Sequence, residues 1–318
     1  MRDAAGDEEK AHLMSRVPPV VRPQRRFQSA NGLLFICIIL LAACTRTAVP
    51  VDVPGYSGTS VAATELANIG TAAAMQAGEY AVALMSEDEI LAIHQTAGIS
   101  GEIVSQLPYN GNGIHLTSNQ TTLGSSRWVE VESPDGMIGW VNFQNITEYI
   151  PHDLFCADPR ISELISAFTS ALVAQDGPAL QATIHPRRGL NIRVDEWNPQ
   201  VNLRAEQVPE IFLLDEVINW GGTEVTSFPI EGTFREIIYP MLMDVFAADN
   251  NIVTCNQIIV GESGEGIWPE EYVNINYHAL YRPALEGEGV FDWRTWAVGI
   301  EYDGGVPYVA FLVQYRGD

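Results

Sequence analysis

The segment His185-Pro186-Arg187-Arg188-Gly189 carries the densest group of side chains that could bind or transform a ligand. An arginine guanidinium presents a planar fork of N–H donors that matches carboxylate and phosphate oxygens, so two arginines at a tight turn predict an anion site. The alternative interpretation is structural: the proline and glycine shape the turn, the histidine caps a helix end, and the arginines pair with acidic side chains at the surface. A lone histidine without a partner at a fixed spacing does not indicate catalysis.

Five tryptophans form a second candidate set. Tryptophan combines an apolar face with a polar N–H, and such side chains suit grooves that bind sugars or peptides. The alternative is that they lie in the core or at its edge, where tryptophan is usually found. The set comprises Trp197, Trp220, Trp268, Trp293 and Trp296.

Asp292 completes the candidates, because a carboxylate beside His185 or His278 would make an acid–base pair, although no spacing in the sequence brings them together. The sequence contains no G-x-S-x-G nucleophile motif, no H-E-x-x-H zinc motif, no phosphate-binding loop and no EF-hand loop. We therefore assign no catalytic residue, no metal ligand and no cofactor. The candidate ligand-binding residues are His185, Arg187, Arg188, Trp220, Asp292 and Trp293.

An apolar run near the N-terminus predicts where the protein works. The run Leu33–Ala43 is 11 residues long, whereas a spanning helix needs about 20. It therefore predicts the core of a signal peptide rather than a transmembrane helix. The run ends in Leu41-Ala42-Ala43-Cys44, and arginines at positions 22, 25 and 26 precede it.

This ending resembles the lipobox of bacterial lipoproteins. The resemblance implies that Cys44 carries fatty acyl chains such as palmitate, that the segment before it is removed, and that the protein is anchored at the extracytoplasmic face of the cell membrane. Residues 1–44 are thus assigned to a lipoprotein signal peptide. Because acidic residues occupy the first positions, we predict that translation starts at Met14, which gives a leader with four arginines and no acid.

Charge narrows the expected partners. Removal of residues 1–44 leaves 11 basic residues, all arginine, and 36 acidic residues, a net charge of −25. Such a surface repels nucleic acid, so no nucleic-acid partner is predicted. The expected partners are the membrane, reached through the lipid anchor, and peptidoglycan or an envelope protein.

Two cysteines remain once Cys37 leaves with the signal peptide and Cys44 carries lipid. An even pair in an oxidising compartment predicts a disulfide between Cys156 and Cys255. The alternative is two buried free thiols.

The elements that must position these residues fall into three segments. Residues 45–77 are rich in Ala, Thr, Gly and Pro and predict a flexible tether. Residues 78–150 contain short alternating strands separated by turn signals, a pattern typical of a small β-barrel. In particular, 127–131 and 137–141 predict a hairpin around Ser133-Pro134-Asp135-Gly136.

This hairpin resembles the end of a bacterial SH3 (SH3b) domain. The matching residues are Trp128-Val129-Glu130-Val131, Pro134-Asp135-Gly136 and Ile138-Gly139-Trp140-Val141, followed in that family by a final short strand. The resemblance implies an SH3-like barrel over 78–150 and, by family association, a cell-wall partner. The sequence departs from the family at 92–98, where N-V-R-x-G-P is usual and often shapes the ligand groove.

Residues 151–318 predict an α+β domain. Apolar residues at helical spacing predict helices over 159–175, 179–184 and 234–245, the last of them bent or begun anew at Pro240. Strands are predicted at 190–194, 274–280, 295–302 and 308–315, the last two joined at Asp303-Gly304-Gly305. Helices packed on a curved antiparallel sheet are analogous to the nuclear transport factor 2-like cone, an analogy of architecture alone.

The same segment resembles a domain of uncharacterised bacterial envelope lipoproteins. The matching phrases, from about residue 161 to the C-terminus, are His185-Pro186-x-x-Gly189, Trp220-Gly221, Asp292-Trp293-Arg294 and Tyr308-x-x-x-Leu312. The resemblance implies an architecture and a location.

The leading hypothesis is a membrane-anchored extracytoplasmic lipoprotein that acts as a non-enzymatic binding or scaffold module and contacts cell-wall components through its SH3-like domain. One alternative is an envelope hydrolase with His185, Arg187 and Asp292 near its pocket. Another is a lipoprotein that captures a small ligand in the C-terminal domain.

Overall fold

The computed structural model describes residues 78–222, 228–261, 264–287 and 289–317. The predicted signal peptide with Cys44 and the predicted tether at 45–77 lie outside these ranges. The described residues belong to one compact unit, a mixed α+β fold made mostly of strands with few helices. The predicted α+β class is therefore confirmed.

Residues 79–148 form a curled antiparallel sheet that resembles half of a barrel. Its strand order is β3-β2-β6-β5-β4-β1-β7, and β1 pairs with both β4 and β7, which brings the first strand beside the last. The strands are β1 Glu79–Val82, β2 Ile90–His94, β3 Ile103–Pro108, β4 Ile114–Leu123, β5 Ser126–Glu132, β6 Ile138–Asn142 and β7 Ile146–Glu148. A 3-10 turn, Phe143–Asn145, joins β6 to β7.

Burial of aliphatic side chains on its inner face holds the curled sheet together. Ile93, Val131 and Val141 are fully buried there, and each such side chain contributes roughly 1.5–3 kcal/mol by leaving water. The predicted hairpin is confirmed, with strands at β5 and β6 and a turn in which Gly136 N–H donates to the Ser133 carbonyl over 2.8 Å.

A second sheet has the order β12-β15-β16-β17-β8-β9. Its pairs are antiparallel except β17 with β8, which is parallel and departs from the wholly antiparallel sheet predicted. A parallel pair needs a long connection, and most of this segment separates the two strands. The strands are β8 Leu190–Arg193, β9 Val201–Leu203, β12 Ile252–Cys255, β15 Asn276–Arg282, β16 Arg294–Asp303 and β17 Val306–Arg316.

Four helices accompany this sheet: α1 His152–Ala157, α2 Pro159–Ala174, α3 Gly177–Thr183 and α4 Ile238–Phe246. Helix α2 begins as predicted, since Asp158 accepts the Arg160 N–H at 3.0 Å and proline occupies the first position. Helix α4 starts four residues later than predicted: a capping box of Thr233 and Glu236 begins one helical turn, and Tyr239 N–H then donates to the Phe234 carbonyl, five residues back, at 2.8 Å, which separates that turn from the regular helix.

The main core lies between α2, α4 and one face of the six-stranded sheet. Phe168 of α2 packs on Phe246 of α4, and Leu312 of β17 is buried in the same cluster. The opposite face carries a smaller core that includes Tyr272 and Phe311. Burial on both faces explains why β17 reads as a nearly continuous apolar run.

Smaller elements complete the segment. A 3-10 stretch spans Ala205–Glu210 and another spans Glu270–Tyr272. Two short hairpins pair β10 Ile218–Gly222 with β11 Pro229–Gly232 and β13 Ile259–Val260 with β14 Gly264–Glu265.

The predicted cysteine pair is confirmed. Cys156 of α1 and Cys255 of β12 lie at disulfide distance, with 5.8 Å between their Cα atoms. The bridge fastens the short helix that follows the curled sheet to the edge strand of the second sheet.

Contacts between the curled sheet and the α+β segment are polar and specific. Leu84 N–H donates to the Glu271 carbonyl at 2.8 Å, and Asn274 Nδ2 donates to the Val82 carbonyl at 2.9 Å. Ala83, at the end of β1, is buried in the smaller core of the α+β segment. The two segments therefore pack directly on each other.

Candidate functional site

A cleft of about 500 Å³ lies where the curled sheet meets the α+β segment. Strands β1 and β7, the start of β5 and the turn Phe143–Asn145 line one side. The turn at 185–188, the region around β9 and the end of β16 line the other. Both segments contribute charged side chains: Arg127 and Glu148 from the curled sheet, and Arg187, Arg188, Arg204 and Glu301 from the α+β segment.

His185 shapes the turn that carries two of these arginines. Its backbone N–H donates to the Val309 carbonyl at 3.0 Å. Its Nδ1 accepts the backbone N–H groups of Arg187 at 3.2 Å and Arg188 at 3.0 Å. Burial lowers the pKa of His185 below its ordinary value, against the attraction of Glu301. A neutral imidazole with an acceptor Nδ1 thus fixes the turn.

Gly189 ends this turn in a conformation that suits only glycine. Its φ is +72°, and a Cβ atom there would collide with the carbonyl oxygen of Leu203. The predicted His-Pro-Arg-Arg-Gly segment is therefore a built turn, and its His185, Arg187 and Arg188 line the cleft.

Arg188 joins the two segments below the cleft. It forms an ion pair with Glu301, whose side chain is buried. Its Nη atoms donate to the carbonyls of Gln144 at 3.0 Å and Ile146 at 3.3 Å in the curled sheet. With its charge and donors so engaged, Arg188 has a positioning role.

Arg127 and Arg187 approach the same aromatic ring. Their guanidinium carbons lie 4.4 Å and 4.6 Å from the ring centroid of Phe143, within the range of cation–π attraction. Arg187 also pairs with Asp303 at 2.6 Å. Among the residues that the structure describes, no carboxylate lies within ion-pair distance of Arg127.

Glu148 connects β7 to the turn between β16 and β17. Its carboxylate accepts the backbone N–H groups of Gly304 at 2.6 Å and Gly305 at 3.0 Å. The hydroxyl of Tyr80 donates to the same carboxylate at 3.4 Å. Burial, reinforced by Glu148, raises the pKa of Tyr80 to about 12, so this phenol stays protonated at the cleft wall.

An amide network forms part of the cleft wall. The buried Asn191 donates to the Ala310 carbonyl at 3.0 Å. Its Oδ1 accepts from Gln200 Nε2 and Asn202 Nδ2, each at 2.7 Å. These neutral groups satisfy one another and keep the wall rigid.

The cleft is lined by more arginines than carboxylates, and three of its arginines are ion-paired: Arg187 with Asp303, Arg188 with Glu301 and Arg204 with Glu206. Four arginines and two glutamates line it, whereas the whole chain carries a net charge of −23. Ten arginines lie in the described residues, and four of them gather here.

The other predicted site residues lie elsewhere. Trp220 is fully buried and donates its indole N–H to the Gly232 carbonyl at 3.0 Å. Asp292 pairs with Arg282 at 3.0 Å, and this bond lowers the pKa of its carboxyl group. Trp293 packs against the smaller core. None of the three lines the cleft.

The remaining tryptophans do not gather in a groove either. Trp296 is buried, Trp268 packs against the smaller core, and Trp197 is 71% exposed. His278 packs edge-on against Phe155, and neither of its ring nitrogens has a hydrogen-bond partner in the described part of the chain. It therefore forms no acid–base pair with Asp292.

Of the residues that line the cleft, the sequence analysis singled out only His185, Arg187 and Arg188, and it missed Arg127 and Phe143 among others. Arg127 was recognised only as the start of a predicted strand, and Phe143 was not singled out. The only available signal for Arg127 was its place at the start of an alternating strand, and nothing in the sequence relates it to position 187.

Comparison with models of known protein families, with curated proteins and with solved structures found no match for this chain. Over the described ranges, no helix combines the length and the apolar character needed to span a bilayer.

Proposed function

We propose that this protein is a non-enzymatic binding protein, anchored through lipid on Cys44 at the extracytoplasmic face of the cell membrane, which holds a cell-wall component in the cleft. Peptidoglycan is the proposed partner because its peptide stems carry carboxylates that suit the arginines. The observation that carries the proposal is an open cleft, built from both segments and lined by more arginines than carboxylates, in a strongly acidic chain.

The state of the acid–base groups favours binding over catalysis. A general base needs a free acceptor within reach of its proton. The acceptor Nδ1 of His185 already holds two backbone N–H groups, Glu148 holds two more, and Glu301 is paired with Arg188. These groups support the cleft walls, which gives the hydrolase hypothesis little basis.

We further propose that the curled sheet is an SH3-like (SH3b) barrel. The motif residues Trp128 and Trp140 lie on the paired strands β5 and β6, and a final short strand, β7, follows and pairs with the first strand. For the α+β segment we propose a nuclear transport factor 2-like arrangement, supported by helices α2 and α4 on one face of the second sheet.

The test is cosedimentation of the full-length chain, purified in detergent, with purified peptidoglycan sacculi. The wild-type protein is expected in the pellet. A Gln144→Trp variant fills the mouth of the cleft from an exposed side chain without changing charge, so it is expected in the supernatant. The matched control, Gln106→Trp, makes the same change on the exposed face of β3 and should sediment like the wild type.

Wild-type protein that stays in the supernatant would overturn the proposed partner. Equal loss of sedimentation in both variants would show that the wall contact does not depend on the cleft. The anchor is tested separately: mass spectrometry of the mature protein is expected to find acyl chains on Cys44, and a Cys44→Ala variant should leave the membrane fraction.

A further inference from the structure

We propose that the cleft recognises an oxyanion, a carboxylate or a phosphate carried by its ligand, and that Arg127 and Arg187 bind it. This inference rests on the proposed function only in taking the cleft as the ligand site. It names the chemical group recognised and the residues that contact it.

The inference depends mainly on the guanidinium of Arg127, which is unpaired in the described part of the chain. Its side chain is half-buried at the start of β5 and lines the cleft, and its Nε has no hydrogen-bond partner among the described residues. Within the same residues it has no carboxylate at ion-pair distance, although acids outnumber bases by more than two to one in this chain. A partly desolvated guanidinium without an anion is costly unless something else supplies the charge.

Phe143 holds a second guanidinium nearby. Because the two guanidinium carbons lie 4.4 Å and 4.6 Å from one ring centroid, they are at most 9.0 Å apart. Arg187 is tied to Asp303 through one Nη atom, which leaves other N–H groups of its fork for a ligand. Two guanidinium groups beside one ring thus offer planar sets of N–H donors to the same ligand.

The other two arginines of the cleft, Arg188 and Arg204, already have ion-pair partners. Arg188 forms an ion pair with Glu301 and donates hydrogen bonds to two backbone carbonyls, so its donors are already occupied. Arg204 lies at the rim, where its side chain is 65% exposed and paired with Glu206. Arg127 is therefore the arginine of the cleft whose charge is not neutralised by an ion pair among the described residues, and Arg187 lies beside it.

The field of the whole protein makes this arrangement selective. An acidic surface repels anions at long range, so an anion binds only where several donors meet it at close quarters. The cleft would accordingly discriminate strongly between a ligand with a free carboxylate and the same ligand as an amide.

Isothermal titration calorimetry of the full-length chain in detergent, at low ionic strength, tests the inference. The probes are acetyl-alanyl-alanine with a free carboxylate, the same dipeptide as its C-terminal amide, and inorganic phosphate. The free acid or phosphate is expected to bind, at least about tenfold tighter than the amide, since a charge-assisted contact is worth that much. If only the acid binds, the ligand carries a carboxylate. If only phosphate binds, the ligand carries a phosphate.

Arg127→Gln should weaken binding of the anion about tenfold or more, and Arg127→Lys should weaken it less because the charge remains. Arg235→Gln is the matched control, since Arg235 is exposed and does not line the cleft; its affinity should equal that of the wild type. Because Arg127 makes no ion pair among the described residues, Arg127→Gln should fold, and the salt dependence of wild-type binding gives a second readout.

Failure of the acid and phosphate to bind, equal affinity for acid and amide, or unchanged affinity in Arg127→Gln would each overturn the inference. The sacculus experiment fails separately: anion binding that requires Arg127, without sedimentation on sacculi, would reject the wall partner and keep the oxyanion site.

Discussion

The carboxylate of Glu148 accepts the backbone N–H of Gly304 across 2.6 Å, and through this bond the last strand of the curled sheet holds the β16–β17 turn. Gly304 has a φ of +62° and Gly305 a φ of +74°, so successive amides turn towards one carboxylate. Such concave pairs of amides favour an anion. The geometry of the cleft wall therefore depends on one buried side chain.

Glu148→Gln tests this relationship. The glutamine keeps the size of the side chain but loses the charge and brings an N–H group towards two N–H donors, so one amide loses its acceptor. We expect the free energy of unfolding, measured by urea titration, to fall by about 1–3 kcal/mol. Glu132→Gln, at an exposed position of β5, should change it little; equal losses in both variants would contradict the role given to Glu148.

Arg188 and Glu301 should behave as a buried, coupled pair. Their side chains are 11% and 1% exposed, so Arg188→Met leaves an unpaired buried carboxylate and should cost about 3–5 kcal/mol of the free energy of unfolding. The double variant Arg188→Met/Glu301→Leu should cost clearly less than the sum of the single variants.

The exposed pair Arg204 and Glu206 provides the control for that cycle, because its side chains are 65% and 72% exposed. Arg204→Met should change the free energy of unfolding by no more than about 1 kcal/mol. Additive effects of Arg188→Met and Glu301→Leu would mean that the two side chains do not act together.

Local structure was largely predictable because local patterns determine it. The hairpin of β5 and β6 followed from alternation and a Pro-Asp-Gly turn, and helix α2 followed from its apolar spacing and its initial proline. The Cys156–Cys255 pair followed from counting cysteines. Helix α4 begins at Ile238 rather than Phe234 because the first turn after the capping box of Thr233 and Glu236 is followed by a backbone bond from Tyr239 to Phe234, five residues back, which the sequence does not reveal.

The candidate site was only half visible for a physical reason. The turn at 185–189 is local, and its proline and glycine predict it from the sequence. The approach of Arg127 to Phe143 and Arg187 depends on how the two segments pack, which no local pattern encodes. Trp220 is the opposite case: the sequence analysis listed it as a candidate ligand-binding residue, but its side chain is fully buried in the core.

Stability should depend on pH through His278. Burial lowers the pKa of His278 below its ordinary value, whereas a histidine in the unfolded chain has a pKa of about 6.5. As pH falls through about 6.5 the unfolded state takes up the proton first, so the free energy of unfolding decreases until the pKa of the folded state is passed. Urea titrations between pH 7 and pH 5 measure this slope.

His278→Phe should make that slope shallower, because an apolar ring keeps the packing on Phe155 and cannot titrate. Part of the slope should remain, since burial also lowers the pKa of His185. His152→Phe, at an exposed position of α1, should keep the wild-type slope; an unchanged slope in His278→Phe would refute the assignment.

The disulfide should matter most for helix α1. This helix has six residues, too few to be stable alone, and Cys156 ties it to β12. The bridge spans 99 positions of sequence, so its removal in Cys156→Ser/Cys255→Ser should lower the free energy of unfolding by about 2–5 kcal/mol. Hydrogen exchange should quicken first at α1 and β12, while β5 and β6 of the curled sheet stay protected and serve as the internal control. Uniform loss of protection across both segments would instead indicate that the bridge supports the packing of one segment on the other.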